Sequence, residues 1–201
     1  MSESKNIGVV ILAAGTSSRL GRPKQLVKFQ NKFLLQHIID IVAILDFEST
    51  VVVLGAHADK IVESIIPKNC NVLNNKNWSE GIASSIRLGV SESKKLNESL
   101  KGILFLLSDQ PFVTKQLIEE LIQKHANGNQ QITACSYKDN IGVPAIFGKE
   151  FFPDLLKLTG DVGARKIMMQ NKEHVEHIVF KDGSFDIDTE EDVQELLDKE
   201  T

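Results

Sequence analysis

One stretch near the start of the chain, Ile7 to Leu26, limits the possible folds more than any other. It begins with an apolar run from Ile7 to Ala14 that only Gly8 interrupts. A short, β-branched and continuous apolar run is typical of a strand buried on both faces, as in a parallel sheet. From Gly15 to Lys24 the residues become small, polar and basic. The stretch therefore predicts a strand of a parallel sheet, followed by a basic loop at its carboxyl edge.

That loop has the chemistry of an anion-binding site. Its small residues let backbone N–H groups approach a ligand, and Arg19, Arg22 and Lys24 add positive charge. Open α/β sheets bind ligands at the carboxyl ends of their strands. We therefore expect an exposed loop that binds phosphate, although the residues alone also allow a surface loop with scattered basic side chains. It is not a Walker-type loop, because the sequence has no G-x-x-x-x-G-K-[ST] motif.

The remaining chain alternates between segments with strand and helix patterns. Apolar runs predict strands at residues 50–54, 71–74, 102–107, 131–136 and 140–147. Helical spacing and capping residues predict helices at residues 33–45 and 58–66, after Ser79, after Thr114, at 151–158, after Asp161 and after Thr189. Such alternation is typical of a parallel sheet with helices on both faces. Pro144 interrupts one predicted strand, which predicts an edge or a bulge there. With no linker or repeat, we predict a single domain over residues 1–201.

Composition and charge narrow the class of protein. The 201 residues suffice for one sizeable core, and a net charge of −4 gives no overall basic field for nucleic acid. No apolar run approaches a membrane span, and the polar start MSESKN has no signal-peptide core. Cys70 and Cys135 lack metal-ligand spacing and suit a reducing compartment. His174 and His177 would point to opposite faces of a strand, so we expect no metal site there. We expect a cytoplasmic protein without nucleic-acid or membrane partners.

Three carboxylates are candidates for a metal site. Asp109 follows the predicted strand 102–107 and would lie at the ligand edge of the sheet, where it could hold Mg²⁺ against phosphate oxygens. Asp186 and Asp188 lie on one face of the chain if their segment is extended. The alternative is that Asp109 bonds to its own turn, and that the other two only shape the turn before the helix capped at Thr189.

The loop also carries a family resemblance. LAAGTSSRLGRPK resembles the signature loop of nucleotidyltransferases, L-A-x-G-x-x-x-R-x-G-x-x-K, and the matching residues are Leu12, Ala13, Gly15, Arg19, Gly21 and Lys24. Within the superfamily of MobA-like NTP transferases, the sequence is most similar to the molybdenum cofactor cytidylyltransferases. LAAG instead of LAGG in the loop, and the turn from Asp109 to Pro111, favour CTP over GTP in that family. The resemblance extends from Ile7 to Leu197. It implies a three-layer α/β/α, Rossmann-like (GT-A-like) nucleotidyltransferase fold with a mostly parallel sheet of about seven strands.

The same resemblance implies roles for individual residues. The implied nucleotide-binding residues are Leu12, Ala13, Ala14, Gly15, Arg19, Lys24, Gly81, Ser85 and Asp109. Of these, Arg19, Lys24 and Asp109 are implied to be catalytic, because they would hold the triphosphate and the metal. Mg²⁺ is implied to bind Asp109 together with Asp188 or Asp186, of which we favour Asp188. The implied second-substrate residues are Gly142, Pro144 and Arg165. From the residues alone, Arg165 is equally an exposed helix arginine, and Gly81 equally precedes a capped surface helix.

The resemblance implies nucleotidyl transfer from CTP to the phosphate of molybdopterin cofactor, with release of pyrophosphate. The residues suit this reaction, because phosphoryl-type transfer needs positioning and charge neutralisation rather than a covalent catalyst. A phosphate nucleophile is already ionised, which agrees with the lack of a candidate general base. The implied partners are CTP, molybdopterin cofactor and, as a client, a molybdenum hydroxylase. Two alternatives stay open: a related NTP transferase with a sugar or alcohol phosphate as acceptor, and a non-catalytic molybdenum-cofactor chaperone.

Overall fold

The computed structural model describes residues 6–45, 47–138 and 140–199. The strands are β1 (Ile7–Ala13), β2 (Lys28–Phe29), β3 (Lys32–Phe33), β4 (Thr50–Leu54), β5 (Asn71–Asn74), β6 (Gly102–Leu107), β7 (Ile132–Tyr137), β8 (Asn140–Gly148) and β9 (Val175–Val179). The helices are α1 (Leu34–Leu45), α2 (Ala58–Ser64), α3 (Ile82–Leu96), α4 (Lys115–Asn127), α5 (Phe152–Leu156), α6 (Arg165–Gln170) and α7 (Glu190–Asp198). The predicted strands and helices are present, with ends that differ by a few residues.

Within the described residues, seven strands form one sheet in the order β5-β4-β1-β6-β8-β7-β9, and β2 and β3 form a separate antiparallel pair. β1 is an interior strand and runs parallel to both neighbours, with Val9 opposite Thr50 of β4 and Leu104 of β6. β4 and β5 are parallel, as are β7 and β9, whereas β8 is antiparallel to β6 and β7. The predicted mostly parallel, three-layer α/β fold is therefore confirmed.

Apolar helix faces cover both sides of this sheet. Alternate residues of β1 enter different cores: Val9 and Ile11 pack with α1, α2 and α4, and Val10 packs with α3, α5 and α6. All seven residues of β1 are buried, as the continuous apolar run predicts for a strand covered on both faces. Ile38 and Ile118 belong to the first core, and the second core also consists of buried apolar side chains. The carboxyl ends of β1 and β6 lie side by side and lead into the loop after β1 and the turn after β6, which are therefore neighbours at this edge of the sheet.

A third apolar cluster joins the loop after β1 to the end of the chain. Its buried members are Leu20, Val27, Phe29, Leu34, Ile187, Val193 and Leu196. The backbone N–H of Ile187 also donates to the carbonyl of Asp109 at 3.2 Å. Burial of these side chains stabilises the contact, since each fully buried aliphatic side chain contributes about 1.5–3 kcal/mol. The turn after β6, the basic loop and the segment before α7 therefore meet at one edge of the sheet.

Two of the four predicted helix caps are wrong. Ser79 does not cap α3, which begins after Gly81, and Asp161 does not cap α6, which begins after Ala164 without a side-chain cap. Gly81 has a φ of 117° and lies so close to residue 160 that a Cβ there would be 2.5 Å from its carbonyl oxygen. This tertiary contact sets the start of α3 in place of a local cap. The caps at Thr114 and Thr189 are confirmed, and the second forms a capping box with Asp192.

Pro144 lies in an interior strand, because β8 is between β6 and β7. The pairing of β8 with β7 shifts at Ala134 and Cys135, which face Ala145 and Gly142, and Pro144 falls in the unpaired gap. A proline has no N–H to offer a neighbouring strand, so a bulge accommodates it. Of the two predicted positions, the bulge is the one observed. No helix in the described part of the chain is long and apolar enough to cross a membrane.

Candidate active site

A cavity of about 400 Å³ opens at the carboxyl ends of β1 and β6. Its walls are the loop after β1, the start of α3 and the turn after β6. The lining residues are Leu12, Ala13, Ala14, Gly15, Thr16, Lys24, Gln25, Trp78, Ser79, Gly81, Ile82, Ser85, Leu107, Ser108, Asp109 and Asp161. The structure therefore brings together all the predicted nucleotide-binding residues except Arg19, which lies next to the cavity and is described below.

One end of the cavity is built around the ammonium group of Lys24. Its Nζ is 2.5 Å from a carboxylate oxygen of Asp109 and 2.8 Å from one of Asp188. The Lys24 side chain is 16% exposed and that of Asp109 11%, so the contact is largely shielded from water. Burial lowers the pKa of Lys24, but the two carboxylates outweigh it and hold the pKa above its ordinary value. Asp109 and Asp188 thus face a single cation.

Two arginines of the loop extend this charge network outward. Arg19 donates to the second carboxylate oxygen of Asp188 at 2.6 Å, and its side chain is 72% exposed. Arg22 pairs with both oxygens of Glu190 at 2.8 and 2.9 Å. The loop is therefore tied to the start of α7 by ion pairs as well as by the third apolar cluster. Arg19 is connected to the cavity through Asp188, whose other carboxylate oxygen accepts from the ammonium of Lys24.

Asp186 differs from Asp188 in its surroundings. Asp186 is partly exposed to solvent. Burial of the rest of its side chain and the negative charge of Asp109 raise the pKa of its carboxyl to about 6. Its carboxylate forms no ion pair with Lys24, whereas Asp188 does. Across residues 6–45, 47–138 and 140–199, no group of three or more His, Cys, Asp and Glu side chains is suitable for a metal ion. Of the three candidate carboxylates, Asp109 and Asp188 are the two that pair with the ammonium of Lys24.

The expectation of an exposed loop is only partly right. Gly15 and Arg19 are exposed, but Lys24 is not. Ser17, at a φ of 53°, accepts the backbone N–H of Lys24 on its side-chain oxygen at 3.0 Å. The buried amide of Gln25 donates to the carbonyl at the end of β1 at 2.8 Å. These bonds fold the end of the loop back over the strand, which places the lysine inside the cavity.

At and just before the start of α3, the cavity wall contains the apolar side chains of Ile82 and Trp78 and the small residue Gly81. Trp78 was not among the predicted binding residues, although it lines the cavity. A Cβ at Gly55 would lie 2.7 Å from Cβ of Trp78, so the chain after β4 fits directly against the tryptophan. A cavity with charges at one end and an apolar wall at the other matches the two parts of a nucleotide.

None of the predicted second-substrate residues lines the cavity. Arg165 donates to the side-chain oxygen of Asn140 at 2.5 Å, and a Cβ at Gly142 would collide with the hydroxyl of Tyr137. Gln110 connects this region to the turn after β6, because its amide donates to the carbonyl of Val143 at 3.3 Å. The strand that contains Pro144 therefore contacts the turn that contains Asp109 but does not line the cavity. The role of these three residues stays a prediction.

Similarity to known proteins agrees with this architecture. The chain matches the MobA-like NTP transferase domain over residues 9–175. It is 29% identical over 197 residues to nicotine blue oxidoreductase of Paenarthrobacter nicotinovorans, covering 94% of this chain and 95% of that protein. The crystal structure of Rv0371c from Mycobacterium tuberculosis H37Rv superposes with a TM-score of 0.83 at 27% identity, covering 97% of this chain and 99% of that one. The Rv0371c complex with manganese gives a TM-score of 0.80 at 26% identity, with 96% and 99% coverage.

Proposed function

The chain belongs to the family of MobA-like NTP transferase domains, and on that premise we propose that it transfers a cytidylyl group from CTP to molybdopterin cofactor. The family and the nucleotidyltransferase-type fold carry the reaction class. The choice of CTP rests on LAAG at Leu12 to Gly15 and on the turn from Asp109 to Pro111. The choice of molybdopterin cofactor rests on the resemblance of the whole chain to the molybdenum cofactor cytidylyltransferases.

The observation that best supports the proposal is the ammonium of Lys24 between Asp109 and Asp188 inside the cavity. A triphosphate with a divalent cation brings negative and positive charges to the same place. The cation would take over the carboxylates, and Lys24 would be released to the phosphates. Charge-assisted hydrogen bonds of this kind contribute about 1.5–3 kcal/mol each.

Asp109 and Asp188 fit a Mg²⁺ ion, because both are oxygen donors and both already approach one cation. Mg²⁺ is usually held by one or two carboxylates together with substrate phosphates, so two protein ligands suffice. When bound, the ion would neutralise charge on the phosphate oxygens. The manganese complex of Rv0371c, a relative at 26% identity, supports a divalent cation in this type of domain.

In the proposed reaction, a phosphate oxygen of the cofactor attacks the α-phosphorus of CTP. A new P–O bond forms there, and the bond between the α-phosphorus and the bridging oxygen of the β-phosphate breaks. Pyrophosphate leaves with the bond's electron pair. Lys24 and Arg19 would hold the triphosphate and then stabilise the charge on the leaving pyrophosphate. The acceptor oxygen carries no proton at neutral pH, so the site needs no general base.

A second function is supported by one observation, the similarity over 94% of the chain to a protein named nicotine blue oxidoreductase. An oxidoreductase would bind an electron carrier, such as a nicotinamide dinucleotide, in the same cavity. Two further functions are also compatible with a nucleotide site in this cavity. One is transfer to a sugar or alcohol phosphate, and the other is a non-catalytic chaperone that delivers molybdenum cofactor to a hydroxylase.

A pyrophosphate-release assay separates these functions. The chain is incubated with Mg²⁺ and each of the four NTPs, with molybdopterin cofactor, with a sugar phosphate or with no acceptor. The proposal predicts release only with CTP and the cofactor together. Release with a sugar phosphate instead identifies another acceptor, and nucleotide binding without release with any acceptor supports the chaperone. Electron transfer from NADH or NADPH to nicotine blue, without any pyrophosphate release, would support the oxidoreductase.

A further inference from the structure

The buried side-chain amide of Asn75 lies near the start of α3. It belongs to none of the sequence motifs and has no role in the proposed reaction. Asn75 directly follows β5 and is 4% exposed. Its side-chain nitrogen donates to the hydroxyl of Ser84 at 2.8 Å and to that of Ser85 at 2.9 Å. Its side-chain oxygen accepts the backbone N–H of Asn77 at 2.9 Å. Both amide hydrogens and the amide oxygen are therefore engaged.

The orientation of this amide follows from its partners. A backbone N–H only donates, so the side-chain atom that faces Asn77 must be the oxygen of Asn75. The nitrogen then faces the two serines, and an amide nitrogen only donates. The oxygens of Ser84 and Ser85 therefore act as acceptors toward Asn75. Each serine must direct its own hydroxyl hydrogen somewhere else.

The two hydroxyl hydrogens have different destinations. Ser84 donates to the carbonyl of Gly81 at 2.9 Å. The side chain of Ser85 donates no hydrogen bond to any part of the chain that the structure describes, and Ser85 lines the cavity. Since Ser85 is 2% exposed, bulk water does not compensate freely for a missing partner. The hydroxyl hydrogen of Ser85 is thus available to an acceptor in the cavity.

We propose that Asn75 is a positioning residue which holds the Ser85 hydroxyl as a donor toward the nucleobase, so that the cavity selects cytosine over uracil. This inference rests on the proposed nucleotide-binding function. Ring atom N3 of cytosine is an acceptor, whereas N3 of uracil carries a hydrogen. Facing uracil, the hydroxyl hydrogen of Ser85 would meet the N3–H, which is also a donor. The second lone pair of the serine oxygen could accept that N3–H only if the serine hydrogen stayed unpaired in a buried place. Sites built on such hydrogen bonds reject the mismatched analogue strongly.

The other polar side chains at this end are less able to make that distinction. Ser79 and Asp161 also line the cavity, but both residues are exposed. An exposed hydroxyl or carboxylate exchanges its partner for water at little cost, so a mismatched base is tolerated next to it. A buried hydroxyl that already accepts one hydrogen bond, and whose hydrogen has no partner among the described residues, has no such exchange. Of Ser79, Ser85 and Asp161, Ser85 is therefore the one through which base identity has the largest effect on affinity.

The test is equilibrium binding of CTP and of UTP to the full chain, in the presence of Mg²⁺ and without an acceptor. Ser85→Ala removes the donor. Asn75→Asp reverses the polarity, because a carboxylate accepts from Ser85 and leaves the serine oxygen as an acceptor toward the base. Ser84→Ala is the matched control, since it loses a bond to the same amide but does not line the cavity.

We expect the wild-type chain to prefer CTP roughly tenfold or more. The ratio of the two affinities should fall toward one in Ser85→Ala, fall below one in Asn75→Asp, and keep its wild-type value in Ser84→Ala. Equal weakening of CTP and UTP in Ser85→Ala would overturn the inference, because a structural role lowers both affinities together. That comparison with Ser84→Ala decides the question even if Asn75→Asp does not fold. A wild-type chain that binds neither nucleotide overturns the proposed function, whereas CTP binding with unchanged ratios overturns the inference alone.

Discussion

At the scale of single residues, Lys24 neutralises two carboxylates that reach it from distant parts of the chain. Lys24→Ala should lower the rate of cytidylyl transfer about ten- to a hundredfold or more, because the triphosphate loses a charge-assisted contact. It should also destabilise the ligand-free chain by about 1–3 kcal/mol, because Asp109 and Asp188 are left without their cation. Steady-state kinetics and urea unfolding measure the two effects separately.

Mg²⁺ provides the control for this prediction. Added Mg²⁺ should raise the melting temperature of Lys24→Ala more than that of the wild-type chain, since the ion then faces two carboxylates that no ammonium occupies. Lys28→Ala is the matched variant, because Lys28 is exposed and does not line the cavity. Lys28→Ala should leave both rate and stability close to wild type. If Lys24→Ala destabilises the chain while its rate per folded molecule stays normal, the lysine is only structural.

The three carboxylates near Lys24 should differ in their effect on catalysis. Asp109→Asn should nearly abolish turnover, while the nucleotide still binds through Arg19 and Lys24. Asp188→Asn should behave similarly, because Asp188 shares the ammonium of Lys24. Asp186→Asn should have less effect, since Asp186 forms no ion pair with Lys24 in the structure. The measurement is turnover against Mg²⁺ concentration for all three variants, with circular dichroism as the check on folding. Near-normal rate and Mg²⁺ dependence in Asp109→Asn would remove its metal role.

At the scale of elements, the start of α3 depends on one glycine. Gly81 combines a φ of 117° with a position where a Cβ would be 2.5 Å from the carbonyl oxygen of Gly160. Gly81→Ala should therefore destabilise the chain by about 1–3 kcal/mol and weaken nucleotide binding, because α3 must move away from the cavity. Gly163→Ala is the control, since its Cβ would have only one neighbour, at 3.8 Å. Urea unfolding with equal midpoints for the two variants would contradict the prediction.

Asp40 of α1 joins three elements and gives a pH-dependent contribution to stability. It contacts Lys32 of β3 at 2.6 Å and Lys68, after α2, at 2.8 Å. Burial opposes its ionisation, but hydrogen bonds from Lys32, Lys68 and Gln36 lower the pKa of its carboxyl to about 2. Because the pKa is lowered in the folded state, this stabilisation is present above about pH 4 and is lost as the pH falls toward 2.

Asp40→Asn should therefore lower the free energy of unfolding by about 1–2 kcal/mol at pH 7, after allowance for screening by water. The difference from wild type should shrink between pH 4 and pH 3, where the folded wild type begins to lose its advantage. Urea unfolding at several pH values measures it. Glu119→Gln, which breaks an exposed pair with Lys115, should change stability by less than about 0.5 kcal/mol. A constant difference between pH 7 and pH 3 would show that Asp40 acts through packing and not through its charge.

Capping residues predict the starts of helices correctly where contacts within the same turn determine those starts. Thr114 and Thr189 cap helices as predicted, because the bonds that they form lie within their own turns. Ser79 and Asp161 also have side-chain oxygens that could accept from a backbone N–H. Neither caps a helix, because the contact between Gly81 and Gly160 positions both segments. A contact between residues so far apart in the chain leaves no pattern in a single sequence.

At the scale of the whole molecule, apolar runs predict the buried strands, and the loop motif predicts one wall of the cavity. The motif does not reveal that Lys24 is shielded from water, because its burial depends on Asp188 and on the third apolar cluster. Asn75 and Trp78 escape sequence reasoning for a similar reason. Each follows an unremarkable strand end, and only the order β5-β4-β1 places them beside the first loop. The sequence therefore predicts residues that line the cavity, whereas the contacts that position those residues are visible only in the structure.

The most direct test of the account follows the α-phosphorus of CTP. The chain is incubated with Mg²⁺, molybdopterin cofactor and CTP that carries a label on its α-phosphate, and the label in the cofactor is compared with the pyrophosphate released. If the chain transfers cytidylyl groups to molybdopterin, labelled cytidylyl groups and pyrophosphate appear in equal amounts, and Asp109→Asn loses both while it remains folded. Label that stays in CTP, or pyrophosphate release without label in the cofactor, would contradict cytidylyl transfer to molybdopterin.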